Sequence, residues 1–176
     1  MSPLSIVTYP QKILRQKAVT ISQIPEIEKL IPQMIETMYK NEGIGLAAPQ
    51  VGISKRIIVL ETAEEPREIV RENQNKGRPF AFLNPAITKK TGKPIVAEEG
   101  CLSLPGIFVP VKRIEEIELT YQTPESEHIH IKVKGLTARI FQHEIDHLNG
   151  KLIIDHLSLF KRLKLRKQLN DMKHKS

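Results

Sequence analysis

The sequence predicts an α+β fold in which mostly antiparallel, short strands surround a central helix. Two helical patterns, one towards each end of the chain, enclose a middle section of short apolar runs bounded by Pro and Gly. Runs of strands flanked by helices are typical of α+β domains rather than of alternating α/β folds. With 176 residues the chain has the usual size of one domain and can bury a core without disulfides, so we predict a single domain over residues 1–176.

An N-terminal helix and the strands come first along the chain. Apolar side chains recur at i, i+3 and i+4 spacing, which predicts a helix over residues 25–40. Residues 63–78 are polar and without pattern, which favours an exposed loop. Pro85 and the pair Thr91-Gly92 break the next apolar run. Short strands are predicted at 56–60, 80–90, 94–97, 108–111, 114–122 and 129–134.

A second helix and a basic tail follow. Residues 136–149 predict the central helix, with Thr137 as its N-cap and Gly150 just past its end. Residues 158–176 hold seven Lys or Arg against Asp171, so most of the net charge of +7 lies there, and the leucines of this tail predict a basic C-terminal helix. Such a helix is either an anchor for a polyanion, such as RNA or an anionic membrane, or a terminal helix packed by its leucines.

The composition excludes several classes of protein. No run of 18 apolar residues is present, so we expect no membrane-spanning helix. The first 15 residues lack the apolar core of a signal peptide. Cys101 is the only cysteine, so an internal disulfide is impossible and a cytoplasmic location is expected. The chain has no Trp and 5% aromatic residues, which argues against sequence-specific binding of nucleic acid by base stacking.

The strongest chemical signal is the motif His143-Glu144-Ile145-Asp146-His147, an H-E-x-x-H sequence within the predicted central helix. Residues i and i+4 project from one side of a helix, one turn apart, so both imidazoles can reach one metal ion. Glu144 lies beside them, where it can hold a water molecule and take its proton. Buried histidines are costly without a partner, and a metal removes that cost. The alternative is a surface helix with incidental His and Glu residues.

A catalytic site of this kind needs a third protein ligand. No Glu follows position 144, which excludes the thermolysin arrangement, and Ile153 stands where metzincins have their third His. The spacing leaves His156 and Asp155 open. Cys101 is the other candidate, because the adjacent Gly100 lets the backbone approach closely. The alternative role for this cysteine is that of a small buried hydrophobe.

Three sequence islands together resemble the polypeptide deformylase family. They read G-I-G-L-A-A-P-Q at 43–50, E-G-C-L-S at 99–103 and Q-H-E-I-D-H at 142–147. Any one of them can occur by chance, and the first, taken alone, is a weak signal because it lacks the Lys-Ser/Thr ending of a phosphate-binding loop. All three are intact and in the family's order, and the resemblance covers roughly Leu4 to Leu165.

The resemblance implies a metal-dependent hydrolase, a single catalytic domain that removes the N-formyl group from the formylmethionine of nascent polypeptides and releases formate. It implies that one divalent ion, typically Fe²⁺, with Ni²⁺, Co²⁺ or Zn²⁺ able to replace it, is held by Cys101, His143 and His147. Glu144 would act as general base and then as general acid.

The resemblance also implies how the substrate is held. The side-chain amide of Gln50 and the backbone N–H of Leu102 would face the developing oxyanion. Gly45 would contact the substrate backbone, and Ile44 and Leu136 would help to line the methionine pocket.

One departure from many relatives concerns the grip on the peptide beyond methionine. Those relatives carry an Arg between the cysteine motif and the following Val-Pro, whereas residues 104–110 here are shorter and apolar, with Arg113 the nearest cation. Two other interpretations are a zinc endopeptidase that uses His156 or Asp155 as third ligand, and a non-catalytic RNA- or ribosome-binding protein. The basic tail can also dock a catalytic domain on the ribosome, so the ribosome is an expected partner.

Overall fold

The computed structural model describes residues 2–23, 27, 29–61 and 79–173. Within them, a five-stranded sheet and four α-helices form the predicted α+β architecture. The helices are α1 (Leu30–Lys40), α2 (Gly135–Leu148), α3 (Leu159–Lys164) and α4 (Arg166–Lys173). The strands are β1 (Gly45–Ala47), β2 (Ile57–Glu61), β3 (Pro79–Glu99), β4 (Val109–Gln122) and β5 (His128–Lys134). Single turns of 3₁₀ helix lie at Lys12–Arg15, Ala48–Val51 and Ile153–His156.

The five strands pair in sequence order, and every pair is antiparallel, where the sequence predicted mostly antiparallel strands. In β4, buried and more exposed side chains alternate, because successive side chains of a strand point to opposite faces. Its residue Leu119 lies opposite Ile131 of β5, and both are buried. One face of the sheet therefore supplies a core for a helix to cover.

The longest strands differ from the short ones predicted. Residues 80–90 and 94–97 form one strand of 21 residues, and 108–111 and 114–122 form one strand of 14 residues. The predicted breaks are irregularities in the β3–β4 register, between Leu83 and Ala86 and between Thr91 and Pro94. A bulge accommodates a proline without ending the strand, which is why Pro85 did not act as a stop.

Helix α2 packs against the sheet through aromatic side chains. The ring of Phe82 on β3 meets Phe141 of α2 edge to face at a centroid distance of 4.8 Å, and Tyr121 of β4 at 4.7 Å. Phe82 and Phe141 are almost completely buried. Such pairs add roughly 0.5–1.5 kcal/mol beyond the area they bury, so this cluster fixes α2 against the sheet.

At the ends of α2, the predicted N-cap is wrong and the predicted closing glycine is confirmed. The helix begins at Gly135, with Lys134 at the N-cap, so the predicted cap Thr137 lies within its first turn and is buried. Gly150 follows the helix with φ +70°, as a residue just past a helix end requires. A Cβ at this glycine would lie 2.5 Å from the carbonyl oxygen of Arg15, so the N-terminal segment packs directly on the turn.

The N-terminal helix is shorter than predicted. Helix α1 starts at Leu30 rather than at residue 25, and residues 24–26 and 28 lie outside the described part of the chain. The predicted loop at 63–78 also lies outside it. The side chains of Met34 and Met38 are fully buried, which places the predicted apolar face of this helix in the core.

The basic tail forms two short helices, α3 and α4, where the sequence predicted one. Leu169 of α4 is buried against a cluster that includes Leu104 and Val109. On α3, by contrast, the side chains of Leu159 and Phe160 are mostly exposed. None of the described helices combines the length and hydropathy that crossing a bilayer requires.

Candidate metal centre

Helix α2 carries both histidines of the H-E-x-x-H motif. The Nε2 atoms of His143 and His147 lie 3.3 Å apart. His147 is buried and His143 is nearly so. The i, i+4 spacing therefore brings the two ring nitrogens to one point, as helical geometry requires.

Cys101 reaches the same point from the end of β3. Its Sγ lies 3.2 Å from Nε2 of His147, although 46 residues separate the two along the chain. One ligand atom each from Cys101, His143 and His147 all lie within 4.8 Å of one another, and no other such trio of His, Cys, Asp or Glu occurs among residues 2–23, 27, 29–61 and 79–173.

The two other candidate ligands are engaged elsewhere. Nε2 of His156 lies 2.8 Å from a carboxylate oxygen of Asp146. Asp155 forms ion pairs with Arg15 and Arg162 and accepts the backbone N–H of Leu152. Neither belongs to the trio, so the geometry favours sulfur as the third donor.

Contacts within the trio shift the pKa values of Cys101 and His143. Burial raises the pKa of the Cys101 thiol, but the charge of His147 and hydrogen bonds to both histidines outweigh it and lower the pKa from 9.0 to about 5. Burial lowers the pKa of His143, but hydrogen bonds to Cys101 and Glu99 raise it to about 10. Cys101 is therefore a thiolate at neutral pH, the form in which sulfur binds a metal.

Glu99 orients the imidazole of His143 through the ring nitrogen that faces away from the sulfur. A carboxylate oxygen of Glu99 lies 3.0 Å from Nδ1 of His143, which leaves Nε2 to face the sulfur. Histidines that bind metals commonly donate their second ring N–H to a carboxylate, which fixes the tautomer. The donor set thus fits a divalent transition metal, since two imidazoles and a thiolate converge and the histidine that touches Glu99 is oriented for ligation.

Two arginines neutralise Glu99. Arg113 donates from Nε at 3.1 Å and from Nη2 at 3.0 Å, and Arg139 donates to the same carboxylate at 2.6 Å. Burial alone would raise the pKa of Glu99, but the hydrogen bonds from His143 and Arg113 hold it well below its ordinary value. Arg113 also pairs with Asp146.

These partners of Glu99 were not predicted from the sequence. Arg113 is 5% exposed and points to Glu99 and Asp146, so it does not replace the arginine that many relatives place near the bound peptide. Among the described residues, Arg139 is the arginine that lines the pocket. One signal was present, since Arg139 precedes His143 by four residues on α2 and so shares its side of the helix.

Glu144 lies beside the trio and is buried. Its Oε2 has no hydrogen-bond partner within the described residues. Burial raises the pKa of Glu144 and outweighs the opposing charges of His143 and His147. An ideal Cβ on Gly45 would lie 2.6 Å from Oε1 of Glu144, so only glycine lets the backbone of β1 approach this carboxylate.

Gln50 is held by its own turn. Its Oε1 accepts the backbone N–H of Ala47 at 2.8 Å, and its Nε2 donates to Sγ of Cys101 at 3.7 Å. The side chain is 1% exposed. The anchored oxygen leaves the amide nitrogen directed at the trio.

A pocket of about 580 Å³ opens onto Cys101, His143 and Glu144. Gly45 and Leu102 are among its lining residues. Ile44 and Leu136, at 49% and 62% exposed, give it further apolar walls, and Phe108 adds an aromatic one. All of the predicted substrate-contact residues therefore line this one cavity.

The comparison with known protein families decides between the interpretations of this site. Residues 3–163 match the family model described as polypeptide deformylase. The chain belongs to the polypeptide deformylase family. It is 47% identical over 174 residues to a peptide deformylase of Thermodesulfovibrio yellowstonii, covering 98% of this chain and 100% of the relative. A Thermotoga maritima peptide deformylase is 45% identical over 161 residues, covering 91% and 90% of the two chains.

Solved structures of deformylases share the fold. A peptide deformylase from Ehrlichia chaffeensis in complex with actinonin superimposes with a TM-score of 0.86 at 39% identity, covering 100% of this chain and 99% of that one. One from Synechococcus elongatus, also with actinonin, gives 0.82 at 38% identity, covering 97% and 86%. The resemblance of the three sequence islands to this family is confirmed over nearly the whole chain.

Proposed function

We propose that this chain is a metal-dependent peptide deformylase, which hydrolyses the N-formyl group of formylmethionine on nascent polypeptides and releases formate. The observation that carries the proposal is the convergence of Cys101, His143 and His147 within 4.8 Å, beside the buried carboxylate of Glu144. Membership of the deformylase family supports it independently.

Cys101, His143 and His147 would hold one divalent ion, and we propose Fe²⁺, with Ni²⁺, Co²⁺ and Zn²⁺ as ions that the same donors accept. When bound, such an ion supplies Lewis acidity, which polarises a carbonyl and makes water a better proton donor. The chain's own contribution is to fix the donors. Glu99 orients His143, and the lowered pKa of Cys101 keeps its sulfur ionised.

Glu144 would move the proton. The Oε2 atom, which has no hydrogen-bond partner within the described residues, can take a proton from the attacking water as the new C–O bond forms. The same carboxyl then delivers the proton to the amide nitrogen as the C–N bond breaks, which releases formate and a free amine. Burial holds the pKa of Glu144 above its ordinary value, which suits a group that must both accept and return a proton.

Gln50 and Leu102 would stabilise the negative oxygen that forms at the carbonyl. We assign the Nε2 amide of Gln50 as one donor, because its Oε1 is fixed by the N–H of Ala47 and the group does not need to reorganise. The backbone N–H of Leu102, next to Cys101, would be the second donor. Ile44, Gly45 and Leu136 would receive the methionine end of the peptide, since they line the cavity beside the trio.

The test is formate release from formyl-Met-Ala-Ser by protein reconstituted anaerobically with Fe²⁺. Glu144→Ala should retain the metal and lose turnover, whereas Cys101→Ala should lose the metal. Absence of formate from wild-type protein with metal demonstrably bound would reject the proposal. Full metal content in Cys101→Ala would favour an endopeptidase-like site with another third ligand.

We further propose a single catalytic domain over residues 1–176 that works in the cytoplasm, with 158–176 a basic extension that docks on the ribosome. Lys161 and Arg162 directly follow the exposed Leu159 and Phe160 of α3, and Nζ of Lys164 lies 4.8 Å from the Phe160 ring centroid, which suits a mixed apolar and anionic partner surface. Phe160→Ser should weaken co-sedimentation with ribosomes and leave formate release from a short peptide unchanged. Unchanged co-sedimentation would reject the docking role.

A further inference from the structure

A second cavity, of about 600 Å³, lies on the other side of α2 from the catalytic pocket. We call it the basic groove. Its walls come from the β3–β4 part of the sheet and from the last turns of α2 with the segment that follows. Arg139 and His143 of α2 face the catalytic pocket, whereas Asn149 faces the basic groove. The same helix therefore separates two different cavities.

The basic groove carries an excess of positive charge that the described residues do not neutralise. Lys90, Lys112 and Lys151 line it, are exposed, and contact no carboxylate in the described part of the chain. Asp146 is the single acidic side chain among the lining residues, and it is already paired with Arg113 and His156.

Arg56 adds a fixed charge to the groove. Its guanidinium donates to the carbonyl oxygens of Pro85 at 2.9 Å and Leu148 at 3.4 Å, and to Oδ1 of Asn149 at 3.2 Å. These partners are neutral, and burial lowers the pKa of Arg56. Lys89 also lines the groove, but it is paired with Glu118. Within the described residues only neutral oxygens contact Arg56, and this cation and the other three lysines together produce a positive potential that attracts polyanions.

We propose that the basic groove binds the phosphate backbone of RNA without reading its sequence. A concave wall of cations suits a chain that carries one charge per nucleotide, whereas a flat bilayer cannot enter it. No Phe, Tyr or Trp occurs among the lining residues, and the imidazole of His156 is paired with Asp146, so the groove lacks the large aromatic anchors typical of protein interfaces and of base-stacking sites. The choice of RNA over DNA rests on the proposed function, because nascent chains emerge from an RNA-rich particle.

The experiment compares two triple variants of the full chain. The groove variant is Lys90→Gln, Lys112→Gln and Lys151→Gln. The control variant has the same charge loss at exposed lysines outside the groove and outside the basic tail, namely Lys12→Gln, Lys17→Gln and Lys40→Gln. Both keep residues 158–176, so any binding by the tail is common to them. Circular dichroism and melting temperature establish that both are folded.

Anisotropy of a labelled 20-nucleotide RNA hairpin is measured between 50 and 200 mM KCl. We expect the groove variant to bind about tenfold or more weakly than the control, with a log–log salt slope shallower by about two to three. Equal weakening in both variants would overturn the proposal. So would a groove variant that loses binding to poly-glutamate or to phosphatidylserine vesicles while it retains RNA binding.

The catalytic and RNA-binding roles are separated by a second readout. Formate release from formyl-Met-Ala-Ser should be the same in the wild type and in both variants, since none of the six lysines lines the catalytic pocket. Absent formate release in the wild type would count against the proposed function, whereas the RNA comparison would still decide the role of the groove.

Discussion

We predict that Glu99→Gln destabilises the protein and weakens metal binding together. Glu99 is 7% exposed and accepts hydrogen bonds from Arg113 and Arg139 while it orients His143. A neutral amide at position 99 no longer balances the charge of Arg139. Among the described residues, Asp146 then remains as the carboxylate partner of Arg113. Because breaking a buried ion pair costs about 3–5 kcal/mol, and one partner of Arg113 remains, we expect a loss of about 3 kcal/mol.

The assay is thermal unfolding of metal-free protein, followed by metal titration. For a chain of this size each kcal/mol corresponds to about 2–4 °C, so the melting temperature should fall by about 6–12 °C. Loss of the carboxylate that orients a histidine ligand typically costs about 10–100-fold in metal affinity. The control is Glu98→Gln, which makes the same change at the exposed neighbouring residue. The reasoning is refuted if both variants melt and bind metal alike.

Three further predictions follow from single positions. Gly45→Ala places a Cβ against Glu144 and should lower kcat by about 100-fold, as a 1 Å misplacement of a reacting group does, with metal content by atomic absorption unchanged. Gln50→Ala should lower kcat by about 10²–10³-fold through loss of an oxyanion donor, measured as formate release at saturating peptide. Gly150→Ala and Gly106→Ala both place a side chain at positive φ, which costs about 1–2 kcal/mol of stability. Only the new Cβ at position 150 meets a backbone carbonyl, so urea unfolding should show a larger loss of unfolding free energy for Gly150→Ala. Equal losses at the two glycines, or wild-type kcat in either of the other variants, would contradict these assignments.

Local signals in the sequence predicted the local structure well. The 3.6-residue period and Gly150 located α2 to within a residue at each end, because helix periodicity and a left-handed closing residue act over a few neighbours. The lengths of the strands were harder to predict from the sequence. The continuity of β3 through Pro85 depends on how its register with β4 shifts, and that register is set by contacts far along the chain.

In the candidate site, too, features set by neighbouring residues could be predicted from the sequence, whereas features set by distant parts of the chain could not. The spacing of His143 and His147 indicates a shared metal because both lie on one helix, whereas the position of Cys101 follows only from how β3 ends beside α2. The ion pair between Glu99 and Arg113 depends on the β3–β4 pairing, which places Arg113 opposite Ile95 on the strand that ends at Glu99. Family resemblance supplied what spacing left open, namely sulfur as the third donor.

The burial of Leu169 links the basic tail to the metal centre through apolar packing. This leucine of α4 belongs to the cluster of apolar side chains against which Cys101 packs. A charged side chain at position 169 would therefore disturb the surroundings of the sulfur, although α4 itself supplies none of the three candidate ligands.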